Sequence, residues 1–328
     1  MRFLTKSNLF LIFVGVLLIL FPFINDSRSL LILLTQVFIF AAFAMSYDLL
    51  LGYTGIVSFG HAMFFGIGAY STGIMLKKMD NTIGFFLLSL VITILLTALL
   101  SYVVGILSLR LKSHFYAMLT LSFSGLFLVV AEKWRSLTMG NDGFTFSIPA
   151  VFKDRIVFYF ISFFFMVMVL LFLRRFTESP LGRILQAIRE NEQRTESLGY
   201  TVLHYKVIAS IVSGVIAGLS GSMYAITLRF VNTAVFGIDV TLDALLMTII
   251  GGVGTLFGAI IGAGLIDFAH HWLTGLAKVY WIFERWIIFF GILYILTVMF
   301  FPLGIVGTAK HWWKRRKIKG EIQMKKTA

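Results

Sequence analysis

The stretch 240–270, VTLDALLMTIIGGVGTLFGAIIGAGLIDFAH, decides the fold. Its apolar length suits a membrane span, because a helix needs about 20 apolar residues to cross roughly 30 Å of hydrocarbon. Yet Gly251-Gly252-Val253-Gly254-Thr255-Leu256-Phe257-Gly258 sits in its middle, and Gly262 and Gly264 follow. Basic segments lie on both sides of this half of the chain. Residues 174–202 carry Arg174, Arg175, Arg183, Arg189 and Arg194, and the tail carries Lys314, Arg315, Arg316, Lys317 and Lys319. Excess Lys and Arg marks cytoplasmic loops, so both segments belong on that side. An even number of crossings must then separate them, and the apolar runs 203–226 and 280–301 supply one each. A single plain span at 240–270 would spoil that parity. The stretch therefore reads as broken, either into two short crossings or into a re-entrant pair.

Outward from this point the pattern repeats. Apolar runs at 9–24, 30–51, 56–76, 84–108, 114–131 and 156–173 precede the first basic segment. Their even number puts the N-terminus, with Arg2 and Lys6, on the cytoplasmic side and leaves Arg110 and Lys112 in a cytoplasmic turn; Lys77 and Lys78 fall outside, against the rule. Arg2 and Lys6 before an apolar run resemble a signal peptide, but Ile24-Asn25-Asp26-Ser27-Arg28 offers no small-residue cleavage site, so the run reads as an uncleaved first span.

Composition agrees with a bilayer as solvent. Of 328 residues 59% are hydrophobic and 13% charged, and the apolar residues fall in long runs. The net charge of +13 sits beside spans and in the tail, where it sets topology and does not indicate nucleic acid. With no cysteine, disulfide and thiolate chemistry are excluded. The expected fold is an all-α polytopic membrane protein of about nine or ten transmembrane or re-entrant helices, with a glycine-broken segment in each half. Residues 1–308 form the membrane domain and 309–328 a basic cytoplasmic tail.

The first half carries its own glycine series, Gly52-Tyr53-Thr54-Gly55 through Ser58 and Gly60-His61 to Gly66 and Gly68, set against Gly251, Gly252, Gly254, Gly258, Gly262 and Gly264. This reads as a weak internal repeat. Glycine-interrupted spans at matching places in two halves point to a translocation path, since unwound backbone is tolerated only against protein or a watery cavity. Close helix packing through small residues gives the same pattern. Path candidates are thus Gly52, Gly55, Ser58, Gly60, His61, Gly66, Gly251, Gly252, Gly254 and Gly258.

Residues 179–200, SPLGRILQAIRENEQRTESLGY, read as one capped cytoplasmic helix. Ser179 suits the N-cap, Pro180 the first turn and Gly199 the stop. Ile184, Leu185, Ile188 and Leu198 form an apolar stripe, with Arg and Glu covering the rest. Such a helix, tethered between spans, can dock into a partner's groove as a lever, or lie on the membrane surface.

This stretch resembles the cytoplasmic coupling loop of the branched-chain amino acid permease family of ABC importers, the LivM-like branch. Gly52 to Tyr70, Leu137-Thr138-Met139-Gly140-Asn141-Asp142-Gly143, and Gly251 to Gly258 resemble further family motifs in the same order, although Met139 and Asn141 depart from the pattern. The likeness covers roughly 35–300. It implies an ATPase-coupling loop at Gly182, Arg183, Ala187, Arg189, Glu190, Asn191, Glu192 and Gly199, and an external loop at Thr138, Gly140, Asp142 and Gly143. It also implies partners: a LivH-like second permease subunit forming a heterodimer, two cytoplasmic ATPases and an extracytoplasmic solute-binding protein, all with membrane lipid and without nucleic acid. Leucine, isoleucine and valine lead as solutes, with urea or short amides as the alternative. The chain has no G-x-x-x-x-G-K-[ST] phosphate loop, so it reads as a transport subunit and not an enzyme, without cofactor or metal.

Ionisable residues in or near spans are costly and therefore candidates: Asp48, His61, Asp243, Asp267, His270, His271, Glu284 and Arg285. Asp48 faces either the cytoplasmic interface or the path. His61 either meets solute or holds the broken helix by hydrogen bonding. Asp267, His270 and His271 mimic a metal trio but read as a solvated helix end. Adjacent Glu284 and Arg285 point apart and snorkel. An ion-coupled transporter would want carboxylates deep in its spans, and an intramembrane enzyme a nucleophile with its base. Neither set stands out here.

Overall fold

The structure, a computed structural model, describes residues 27–109 and 113–277 throughout, and besides them 15, 18–24, 288, 291, 292, 295, 299 and 304–308. Arg2, Lys6, Arg110, Lys112, Glu284, Arg285, the tail 309–328, and most of the expected spans 9–24 and 280–301 lie outside the described residues or touch them only in part. The ten principal helices of the described residues are α1 (Arg28–Asp48), α2 (His61–Lys78), α3 (Ile83–Ser108), α4 (Ser113–Lys133), α5 (Arg155–Glu178), α6 (Pro180–Glu190), α7 (Glu192–Ser197), α8 (Val202–Leu228), α9 (Ile238–Gly251) and α10 (Leu256–Ala277). Among the described residues six stretches are long and apolar enough to cross a membrane: Arg28–Thr54, Ile83–Ser108, His114–Lys133, Arg155–Glu178, Val202–Leu228 and Leu256–Leu276.

Two expected spans are broken. The run 56–76 is irregular over 55–60 and becomes helical only at His61. The run 240–270 splits at Gly252–Thr255 into α9 and α10, which fold back on each other, Gly251 against Gly258 and Gly262 against Met247. At 1.5 Å per residue, 14-residue α9 is about 21 Å long, short of the hydrocarbon thickness. The chain ahead of it makes up the difference. Val231 packs beside Gly73, Phe236 beside Gly66, and Thr241 at Ala62, so 231–241 runs antiparallel to α2 before α9 continues toward Gly52.

The centre is α1, α2 and α8. From His61 to Tyr70 every residue of α2 is buried, as expected of a helix apolar all round. Its crossing with α8 is closed by glycine on both sides: a side chain at Gly68 would strike the Gly218 carbonyl, and one at Gly221 the Phe65 carbonyl. α3 reverses the usual amphipathic rule. Ser89, Thr93, Thr97, Ser101 and Ser108 are buried, while Leu87, Val91, Leu95, Leu99 and Tyr102 face out. In lipid there is no gain from hiding leucine, so small residues go inward and let backbones approach. The hydroxyls of Ser89, Thr93 and Thr97 bond within the bundle: Ser89 donates to Phe86 O at 2.7 Å, Thr97 donates to Thr93 O at 2.7 Å, and Thr93 lies 3.2 Å from Ser222, which donates to Gly68 O at 3.0 Å.

At one end of the bundle two short strands pair antiparallel, β1 (Phe144–Thr145) with β2 (Phe230–Val231). At the other end lie α6 and α7.

If the α2–α8 crossing depends on bare backbone, Gly221→Leu should cost about 1–3 kcal/mol, as overpacked cores do, and lower the Tm of the purified chain in detergent. Gly125→Ala, where an added Cβ meets nothing within 4 Å, should leave the Tm unchanged.

Candidate functional site

The expected single helix over 179–200 is two. Ser179 caps α6 by accepting from Gly182 N at 3.3 Å, and Pro180 sits in its first turn. Asn191 then takes an extended conformation, and its side chain accepts from Arg194 N at 2.9 Å to start α7. The competing cap at Asn191 ends α6 one turn after Ala187, and Gly199 closes the segment at φ 90°. Leu185 and Ile188 are buried against Leu50, Val202 and Ala209, which fixes α6 to the ends of α1 and α8. Gly182 has no room for a side chain because it lies on the Thr177 backbone. Arg183, Ala187, Glu190 and Asn191 face outward. Glu192 pairs with Lys206 of α8 at 2.7 Å, and the Lys206 side chain is only 11% exposed.

The two glycine breaks meet beneath α6. After Asp48, α1 widens into a π-helical turn, Leu49–Thr54, and exits at Gly55 with φ 73°. The N–H of Ile56 bonds Leu50 O at 3.1 Å, so Gly52 O loses its ordinary helical donor. Arg189 supplies one: its Nη1 donates to Gly52 O, and its Cγ lies against Gly55. Across from it, the turn between α9 and α10 needs positive φ at Gly252 (124°) and Gly254 (77°). Gly254 N–H, a loose helix-hairpin donor, bonds Asp48 Oδ1 at 2.7 Å. Gly52 and Gly254 touch, and a Cβ on Gly52 would fall 2.5 Å from Gly254 N. Asp48, Gly52, Arg189 and Gly254 thus form one junction drawn from α1, α6 and the α9–α10 turn.

The remaining path candidates sit deeper, in a packed environment. His61 is fully buried, its Nε2 2.9 Å from Ser46 Oγ and its ring among Phe43, Tyr47 and Phe64. Ser58 is buried; its carbonyl accepts from Tyr47 Oη at 3.0 Å, and its Oγ from Gly60 N at 3.3 Å. A Cβ on Gly60 would reach Thr120 Cβ at 3.1 Å. Gly66 lies under the Phe236 ring, and Gly258 against Gly251. The first N–H groups of α2 have no helical partner, and Thr241 Oγ1 of α9 accepts one of them, from Ala62, at 2.8 Å.

At the opposite end the expected external loop forms a tight knot. Thr138 Oγ1 donates to Ala131 O at 2.5 Å and accepts from Gly140 N at 3.3 Å. Met139, Gly140 and Gly143 all take positive φ (61°, 65° and 63°). Asn141 accepts from Thr233 Oγ1 at 3.0 Å, Asp142 is exposed, and β1 follows. Lys77 lies 4.7 Å over the Phe144 ring, which gives one lysine on the wrong side of the charge rule a partner. Among the described residues no group of three His, Cys, Asp or Glu could hold a metal.

Thr241, Thr120 and Lys206 did not emerge from the sequence; each acts on a partner distant in the chain. Only Lys206 had a signal, a cation early in an apolar run.

The family model for the branched-chain amino acid transport system permease component matches residues 29–299. The chain is 26% identical to the high-affinity branched-chain amino acid transport system permease protein LivM of Escherichia coli K12, over 80% of this chain and 67% of that one. It is 25% identical to a probable LivM of Methanocaldococcus jannaschii over 67% of this chain and 74% of that one. Against the Pseudomonas aeruginosa protein BraD it is 22% identical over 82% and 91%. No solved structure matches.

Glu192→Ala strands a nearly buried lysine. It should lower the unfolding free energy by about 1 kcal/mol, between the values for exposed and buried pairs, and Lys206→Met in that background should restore most of the Tm.

Proposed function

Because this chain belongs to the branched-chain amino acid transport permease family, whose model spans 29–299, we propose that it is the membrane-spanning permease subunit of an ABC importer for leucine, isoleucine and valine. The named relatives are permeases of branched-chain amino acids, and six apolar stretches suit a multi-pass membrane protein. With no phosphate loop in the sequence, ATP is hydrolysed by two cytoplasmic ATPase subunits. A LivH-like permease completes the membrane heterodimer, and an extracytoplasmic binding protein delivers solute. The arginine-bearing α6 and α7 and both termini face the cytoplasm.

The observation that carries the reading is the bond from Arg189 to Gly52 O, beside the contact of Gly52 with Gly254. In this mechanism α6 docks on an ATPase with Arg183, Ala187 and Glu190 outward. When the ATPases close on ATP, α6 shifts. Arg189 transmits the shift to the end of α1, and the touching glycines pass it to the α9–α10 turn. Glycine is needed there because a side chain at Gly52 would strike Gly254 and hold the two segments apart. The path runs along the interface with the second permease, and its two faces open alternately. Gly52, Gly55, Ser58 and Gly60 belong to the moving break of the first half, His61 and Gly66 line the path from the helix that follows it, and Gly251, Gly252, Gly254 and Gly258 belong to the break of the second. The loop with Thr138, Gly140, Asp142 and Gly143 is the outer surface that receives the binding protein.

Two outcomes test this. Deleting the gene should abolish uptake of radiolabelled leucine at low external concentration and leave urea uptake intact. Loss of urea uptake alone would keep the architecture and move the solute to urea and short amides. Arg189→Ala removes a charge-assisted hydrogen bond of about 1.5–3 kcal/mol, so leucine uptake should fall roughly tenfold to a hundredfold. The complex should still assemble and hydrolyse ATP. Unchanged uptake would remove α6 as the lever.

A further inference from the structure

Asp48 is a costly residue for the bundle to keep. It is fully buried, at the last turn of α1 before the π-helical widening. Oδ1 accepts from Gly254 N at 2.7 Å, and Oδ2 is buried with no hydrogen-bond partner. A carboxylate in such a place carries a desolvation cost that one backbone N–H does not offset. No direct ion pair repays it: the pairs among the described residues are Arg174–Glu178 and Lys206–Glu192, and Arg189, near enough for its charge to favour the carboxylate, gives its hydrogen bond to Gly52 O. Meanwhile the surroundings make room for this carboxylate. A side chain at Gly52 would strike Asp48 Oδ1, and Gly254 needs a left-handed φ of 77° to aim its N–H at Asp48.

Three bodies are joined in series by these contacts. α6 holds α1 through Arg189 and Gly52 O, and α1 holds the α9–α10 turn through Asp48 and Gly254 N–H, partners 206 residues apart. Contact between the glycines alone can push but cannot pull. A hydrogen bond can do both.

We propose that Asp48 is the positioning residue that latches the α9–α10 hairpin to α1, so that a displacement of α6 received through Arg189 moves the hairpin in both directions. This rests on the ABC-importer reading above for the source of the displacement. The latch needs an acceptor at Oδ1 and not a negative charge as such.

The absence of cysteine from the sequence permits clean paired spin labels. Leu95→Cys on α3 and Phe268→Cys on α10, both exposed and outside the junction, report the hairpin's position against a helix that the latch does not touch. In the assembled complex with its ATPases, addition of ATP with vanadate should shift the α3–α10 distance. Asp48→Ala should abolish that shift and lower solute uptake per ATP about tenfold, the value of one hydrogen bond of this class. Asp48→Asn, which keeps the acceptor, should retain the shift and stay within about threefold of the parent. Because the links are in series, Asp48→Ala with Arg189→Ala should uncouple no further than the worse single variant. A shift that persists in Asp48→Ala, the absence of a shift in the parent complex, an Asn variant as impaired as Ala, or losses that multiply in the double variant would each overturn the latch. If Asp48→Ala does not assemble, the Asn variant and the parent decide by the same distances. The distance readout depends on ATP alone, so it holds whether the solute is leucine or urea, and failure of leucine uptake in the parent would count against the solute and not against Asp48.

Discussion

Hydrocarbon offers nothing to a backbone N–H or C=O, and every departure from a continuous helix in this chain has to find its partners inside the protein. That constraint organises the structure. The π-helical turn after Asp48 frees Gly52 O, and Arg189 of α6 takes it. The turn after Gly251 frees Gly254 N–H, and Asp48 takes it. The buried start of α2 frees Ala62 N–H, and Thr241 of α9 takes it, while Thr120 of α4 receives Phe59 N–H at 3.2 Å. Each break is stitched by a different helix, so the broken segments are also the places where the bundle is most interconnected.

The regular parts obey a second rule, that contact area comes from small residues. α2, α8 and α3 meet through Gly68, Gly214, Gly218 and Gly221 with Ser and Thr between them, and dispersion between close backbones replaces the hydrophobic drive available in water. A packed centre of this kind is stiff. In the proposed mechanism, stiffness in α2, α3 and α8 gives the junction at the α6 end something to move against.

Much of this was legible in the sequence because it depends on local pattern. Parity of the charged segments required a break in 240–270, and the glycines marked where it falls. Ser179 and Pro180 marked the start of α6. The interruption at Asn191 was less visible, because Asn both tolerates a helix and caps one, and the choice is settled by Lys206 holding Glu192 at the start of α7. The two glycine series were legible as a pair, but not that they touch, since Gly52 and Gly254 are brought together by the folding of α9 and α10 against α1. Asp48 could be read as facing a path or an interface; its partner is a backbone N–H, which no residue pattern announces. The bond from Thr233 Oγ1 to Asn141 Oδ1 and the β1–β2 pairing escape because each joins segments far apart in the chain.

The reversed amphipathicity of α3 has a consequence for how such a chain changes over generations. Its outer face answers only to lipid, so Leu87, Val91, Leu95 and Leu99 can exchange with any apolar neighbour of similar bulk at little cost. Its inner face has a ceiling on volume at Thr93, Thr97 and Ser101, set by Gly214 and Gly218 on a helix more than a hundred residues away. Drift on α3 is therefore free on one side and bound to simultaneous change in α8 on the other, which lets two distant homologues share a hydropathy profile and a packing surface while sharing few letters.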